Sequence, residues 1–281
     1  MNWKLLILIL VPFIILIPSF VLRFSSVEPF HRGYFCLDTS IQYPYVEHQK
    51  IPSYLCLLIW IILGVFHFTM SCITHRSSKM LMQGVYKFIF GFALCLLVTD
   101  VTKFSLGRLR PYFMTVCNPD LDFVCYHHDV GELEYDDNGT YFYYPEIHHQ
   151  RYVDEVDTCT TLDKNVLKEA RLSFVSGHAS TSFYAAVFLT IFMNSYITEW
   201  NVKILLQIAH ILLAIWISIT RITDYMHHPE DVVFGCILGI FTALLVHRFS
   251  KKDENKVHEY EMKTINEDDT VNTSMTHSPD N

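Results

Sequence analysis

Charge is scarce in this chain. Only 18% of its 281 residues are Asp, Glu, Lys or Arg, and the formal net charge is −8. No internal repeat is visible, which excludes a stacked-repeat architecture. No nucleic-acid-binding module is visible either, so nucleic acid is not an expected partner. The adjacent His227 and His228 lack the cysteine or spaced-histidine partners of a zinc site, and neither a metal nor another cofactor is expected. A cleavable leader is not expected either. The first apolar run is longer than a usual signal core, and no small-x-small pattern follows it at "VLRFSSVEPF". What the chain does have is clustered hydrophobicity. A hydrophobic content of 51% is near the soluble average and decides nothing. Its distribution decides more: Leu5–Leu22, Tyr54–Ile73, Gly84–Thr102, Ser180–Ile197, Ile204–Ile219 and Val232–Val246 each carry few or no charges. Such runs approach or reach the length needed to cross ~30 Å of hydrocarbon as helices. Helices satisfy their own backbone hydrogen bonds where water is absent. The expected fold is an all-α integral membrane protein with six transmembrane helices.

Basic residues in the short loops set the orientation. Arg76 and Lys79 lie between the second and third runs, and Arg248, Lys251 and Lys252 follow the sixth. Both segments are then cytosolic, and parity puts the N-terminus there too. The long Tyr112–Leu172 connection and the 220–231 turn fall on the extracellular or lumenal side. Residues 112–171 hold 13 Asp/Glu against 4 Lys/Arg, as suits a solvated loop. Asn138-Gly-Thr140 is a glycosylation sequon within it. Cys36, Cys117, Cys125 and Cys159 lie on that oxidising side, whereas Cys56, Cys72, Cys95 and Cys236 fall within spans. Disulfides among the first four fit this compartment, with the pairing left open. The organisation expected is one membrane domain over 1–249, enclosing the 112–172 loop, and a disordered cytosolic tail over 250–281. Asn272-Thr-Ser274, in that tail, should then stay unmodified.

Three polar clusters fall on the non-cytosolic side. In "TDVTKFSLGRLRPYF", Lys103 and Arg110 are seven residues apart, two helical turns, with Arg108 between them and Pro111 as the expected helix stop. A basic collar outside the cytosol runs against the positive-inside bias and suggests an anionic ligand. In "RLSFVSGHASTSF", Ser176 and Gly177 stand where the fourth helix should begin. Free amides and the helix dipole make that a natural phosphate site, with His178 beside it. In "ITRITDYMHHPEDVV", Pro229 reads as the first-turn residue of the sixth helix. His227 and Asp231 are four apart, so the carboxylate could hold one ring nitrogen and free the other as a nucleophile. Arg221 adds a planar fork for phosphate oxygens. Blander readings exist for each cluster: a snorkelling collar, a chance tripeptide and a polar turn. All three falling on one face favours attack on a phosphate ester.

These stretches resemble the type 2 phosphatidic acid phosphatase superfamily, in particular its animal lipid phosphate phosphatase branch. Its first motif, Lys-x6-Arg-Pro, is present as Lys103-FSLGRL-Arg110-Pro111. The second appears as Val175-Ser176-Gly177-His178, and the third as Thr220-Arg221-ITDYM-His227-HPE-Asp231. Val175 replaces a usual Pro and Thr220 a usual Ser; the first removes no chemical group and the second keeps the hydroxyl. The resemblance covers residues 1–250 and implies a site at the extracellular or lumenal ends of helices 3–6. It implies His227 as nucleophile, Asp231 as its orienting acid and His178 as general acid. It also implies that Lys103, Arg110, Arg221, Ser176 and Gly177 hold the phosphate, with no metal required. Expected substrates are phosphatidate, lysophosphatidate, ceramide phosphate or sphingoid-base phosphates. The expected partners are these lipids and the bilayer, and a homo-oligomer is compatible with the sequence. The expected location is the plasma membrane, with internal secretory membranes as the alternative. Two rival classes remain: a non-catalytic lipid-phosphate binding or transport protein on the same fold, and a metal-dependent hydrolase using His127, His128, His148 and His149.

Overall fold

The long apolar runs fold as helices although they are rich in Ile, Val and Phe and the first holds Pro12 and Pro18, because a helix satisfies its own backbone hydrogen bonds where water is absent. In the computed structural model, the described residues are 3–36, 38–75, 78–120, 133–135, 141–143, 152–153, 158–161 and 163–249. They form α1 (Trp3–Phe24), α2 (Ser53–His75), α3 (Ser78–Leu106), α4 (Phe113–Cys117), α5 (Lys164–Ala170), α6 (Gly177–Met193) and α7 (Trp200–Thr223). A last helix, α8, runs from Pro229 to Phe249. Four of these, α2, the Leu81–Leu106 part of α3, α7 and α8, are long and apolar enough to cross a membrane. The first helix is apolar over Leu10–Phe24, and α6 has only 17 residues. The chain is an integral membrane protein. Its outer faces agree: Phe13, Ile62, Val65, Leu205, Leu212 and Phe241 are all exposed, as lipid-facing side chains should be.

The core gathers around α6. Ala179, Ala185, Ala186 and Leu189 are fully buried in it, and Tyr184 donates its hydroxyl to the Phe88 carbonyl at 2.9 Å. Close approach by α8 depends on Gly235 and Gly239. A Cβ on Gly239 would lie 2.3 Å from the Ser180 carbonyl oxygen, and one on Gly235 would lie 2.7 Å from that of Ser176. Between membrane helices, where lipid is as apolar as the side chains, such small residues permit the backbone packing that holds a bundle together.

One end of the bundle carries a second, smaller core. Tyr34, Ile41, Leu109, Tyr112, Phe113, Met114, Val153 and Met226 pack there. Two short antiparallel pairs belong to this region or its loop: β1 (Tyr34–Phe35) with β4 (Tyr152–Val153), and β2 (Leu133–Tyr135) with β3 (Tyr141–Tyr143). Cys117 and Cys159 are bridged, and Cys36 is also disulfide-bonded. Cys125, Asn138, the four paired loop histidines and the tail lie outside the described residues. Part of the 112–172 connection is therefore a packed cap rather than a wholly solvated loop.

Candidate active site

The cap end brings the three clusters together. Lys103 comes from the last turn of α3, Arg110 from the segment after it, Gly177 and His178 from the first turn of α6, Arg221 from the last turn of α7, and His227 from the turn before α8. All six line one cavity of about 510 Å3.

The route by which Arg110 arrives differs from the expected one. The seven-residue spacing placed it on the same helical face as Lys103, with Pro111 as the stop, but α3 ends at Leu106. Gly107 adopts φ +53°, and its amide closes the helix onto the Lys103 carbonyl at 3.0 Å. That left-handed C-terminal turn is the one glycine favours. A Cβ at Gly107 would sit 1.8 Å from the Phe30 carbonyl oxygen, so the turn is also locked against the α1–α2 connection. Arg110 then returns to the site through a loop pinned by its own amide on the Ala170 carbonyl at 2.8 Å.

Each cation is held differently. Lys103 Nζ donates to the Leu172 carbonyl at 2.5 Å. Arg110 pairs with Glu169 and donates to Met226 Sδ at 3.4 Å, while its Nε has no hydrogen-bond partner. Arg221 donates twice to Thr220 Oγ1 at 3.1 and 3.0 Å, to Gln49 Oε1 at 2.8 Å and to Asp224 at 3.3 Å. The hydroxyl kept by Thr220 thus seats the guanidinium. Three buried cations converge, and two of them have carboxylate partners. Lys103 has only a carbonyl, which leaves the chamber cationic.

The two histidines have different neighbours. His178 Nε2 donates to the Ile51 carbonyl at 3.1 Å, which fixes Nδ1 as its acceptor nitrogen. His227 is buried, and its Nδ1 lies 3.9 Å from Asp231 Oδ2 with no hydrogen-bond partner. Asp231 therefore stands beside the ring, inside ion-pair range but beyond a direct bond. Its carboxylate is taken up by Ser173 Oγ at 2.5 Å, Arg108 Nη1 at 2.6 Å and the His228 amide at 3.0 Å. The last contact is the acid at the third helical position reaching back to the cap residue, as in a capping box. Burial, reinforced by Lys103 and Arg110 and opposed by Asp231, holds the His227 imidazole well below its ordinary pKa.

Ser176 is the N-cap of α6, as expected, but it does not line the cavity. It is fully buried, its amide bonds the Asp231 carbonyl at 3.0 Å, and its Oγ has no partner. Gly177 does line the cavity, and a Cβ there would meet only Thr99 Cγ2 at 3.7 Å. The protein has no packing reason for a glycine at that place, so the open space belongs to the chamber. Residues that sequence reasoning missed are Ser173, Gln49, Thr220 as a seat, Glu169 and Asp224. Ser173 and Thr220 sit inside the quoted motifs, whereas Gln49 and Glu169 lie in segments that gave no signal.

A helical membrane bundle with a buried, cation-lined chamber opening at one end defines a class of protein that handles anions at a membrane. The chain belongs to the PAP2 superfamily, whose family pattern it matches over residues 84–254. Its relatives include "Phospholipid phosphatase 1" of Rattus norvegicus, 31% identical over 245 residues covering 81% of this chain and 78% of that protein. "Phospholipid phosphatase 2" of Mus musculus is 29% identical over 236 residues, 79% of this chain and 76% of its own. That of Bos taurus is 28% identical over 248 residues, 83% and 77%. No solved structure matches the chain.

Proposed function

We propose that the chain is a metal-independent lipid phosphate phosphatase that works through a phosphohistidine at His227. The observation that carries this reading is the shared chamber: two histidines and three buried cations face one cavity. A neutral imidazole is the form that can attack phosphorus, and the depressed pKa of His227 supplies it. Lys103, Arg110, Arg221 and the amides at Gly177 and His178 offset the charge that develops on the phosphoryl oxygens. His178, once its Nδ1 has taken up a proton beside the bound phosphate anion, passes that proton to the departing alkoxide. A water then attacks phosphorus, gives its proton back to Nδ1 and breaks the N–P bond, releasing phosphate and restoring His227. Asp231 steadies His227 and the α8 start together. The cavity wall beyond the cations is apolar, with Leu16, Phe20, Leu57, Trp60, Phe92 and Leu96 along it, which suits a substrate with hydrocarbon chains. Six spans with the site outside the cytosol fit the basic residues of the short loops.

The decisive experiment measures phosphate release from phosphatidate by the purified chain in excess EDTA. Full activity in chelator, lost in His227→Ala, is expected. Activity abolished by EDTA and restored by zinc or magnesium would overturn the mechanism. Lipid binding without phosphate release would favour a non-catalytic carrier on this fold.

A further inference from the structure

Beyond the phosphate chamber, the same cavity contains a polar patch that the proposed chemistry does not use. Ser19 and Arg23 are four residues apart on α1, one turn, and both line the cavity. Facing them, Asp100 lies one turn before Lys103 on α3 and also lines it. Arg23 grips Asp100 with a bidentate fork, Nε to Oδ2 at 2.9 Å and Nη2 to Oδ1 at 2.6 Å. The Asp100 side chain is only 2% exposed, whereas that of Arg23 is 45% exposed. Ser19 is buried, and its hydroxyl has no hydrogen-bond partner. Asp100 stands one turn from Lys103, and Ser19 and Arg23 share the cavity with the apolar Leu16, Phe20 and Leu96; in the phosphatase reading, this is where the backbone of a lipid would join its phosphate to its chains.

Resting on the phosphatase reading, we propose that Ser19, Arg23 and Asp100 form a second subsite that selects lipid phosphates bearing an ester or amide carbonyl over those bearing a free ammonium. The donor inventory gives the sign. Arg23 donates one bond to each Asp100 oxygen and neutralises the carboxylate, while the guanidinium keeps unspent N–H groups and Ser19 keeps a free hydroxyl. The patch therefore offers donors. A carbonyl oxygen only accepts, so it fits. An ammonium only donates, and it meets the positive guanidinium before it can reach Asp100. A plain helix-to-helix staple would account for the ion pair, but not for an unpartnered Ser19 hydroxyl beside it on the cavity wall.

The test compares kcat/KM for phosphatidate and for a sphingoid-base phosphate of matched chain length, in mixed micelles with the full chain. The wild type should favour phosphatidate. Arg23→Met removes every donor of that side chain and releases Asp100 to take an ammonium. The phosphatidate-to-sphingoid ratio should then fall on the order of tenfold, the scale of one hydrogen bond to a charged group. Ser19→Ala should move the ratio the same way by a smaller factor. Leaving Asp100 buried and unpaired can unfold the single variant, so Arg23→Met combined with Asp100→Leu provides a neutral version of the same donor loss. A ratio that falls by about threefold or more in Ser19→Ala or in a folded Arg23 variant supports the subsite. A smaller change in all of them overturns it, because a structural role lowers both substrates together. A wild type that hydrolyses neither lipid nor a soluble aryl phosphate defeats the phosphatase reading instead. The same ratio is then read from equilibrium binding of the two lipids, with the same threshold.

Discussion

His178 and His227 share a chamber, the proposed mechanism gives them different roles, and the difference is measurable one residue at a time. His227→Ala removes the proposed nucleophile, so turnover and any acid-labile phosphoenzyme should vanish on every substrate. His178→Ala removes a proton donor, a loss worth ~10²–10⁴-fold when the leaving group is an alkoxide. On an ester with a phenolate leaving group the loss should shrink markedly. Equal losses for both variants on both esters would leave no distinct acid role for His178. The depressed pKa of His227 also carries a pH sign. Its neutral form is the active one, and burial lowers the pKa, so activity should persist as pH falls through 6.5, the imidazole's ordinary value, and drop only in more acid solution. The kcat/KM profile on an aryl phosphate that stays fully ionised over the range checks this; an acid limb centred at or above that value contradicts it. Gly177 gives a third test. Since the fold leaves room for a Cβ there, Gly177→Ala should keep its thermal stability while misplacing the bound phosphate, at a cost on the order of 10²-fold in kcat/KM.

At the scale of elements, much was legible because helix termini announce themselves in residue type. Ser176 as cap of α6 and Pro229 at the start of α8 are both where their chemistry puts them. The end of the fourth run was less legible. Its start at Ser176–Gly177 was legible, but the apolar run was expected to reach Ile197 and the helix stops at Met193, because Asn194 and Ser195 turn the chain while Tyr196 and Ile197 keep the sequence apolar. The stop of α3 was misplaced for a similar reason: Pro111 is the louder signal, but Gly107 has the left-handed turn. Partners such as Gln49 for Arg221 and Glu169 for Arg110 were not legible at all. They come from segments 172 and 59 residues away in sequence, and only folding makes them neighbours. The α6–α8 seam makes its own prediction. Gly239→Ala must push two backbones apart, at a cost of about 1–3 kcal/mol for overpacking. Because those helices carry His178 and Asp231, activity should fall along with the melting temperature. An unchanged activity at lowered stability would uncouple the seam from the site.

For the whole molecule, the site end and the glycosylation sequon are expected on the same side of the membrane. Glycosidase treatment of intact cells should raise gel mobility, and Asn138→Gln should abolish the shift; a glycan on Asn272 instead would invert the topology. The cap at that end is tied by Cys117–Cys159, and α1, α2 and α3 give the cavity an apolar wall; in the proposed reading, substrate enters along that wall from the bilayer. This arrangement changes what concentration means for the enzyme. A substrate that arrives through the bilayer is dilute or abundant according to its mole fraction among neighbouring lipids, whatever the volume of water around the vesicle. Adding inert phosphatidylcholine to vesicles at fixed total phosphatidate should slow turnover, whereas adding buffer at fixed lipid composition should leave the rate per enzyme molecule unchanged.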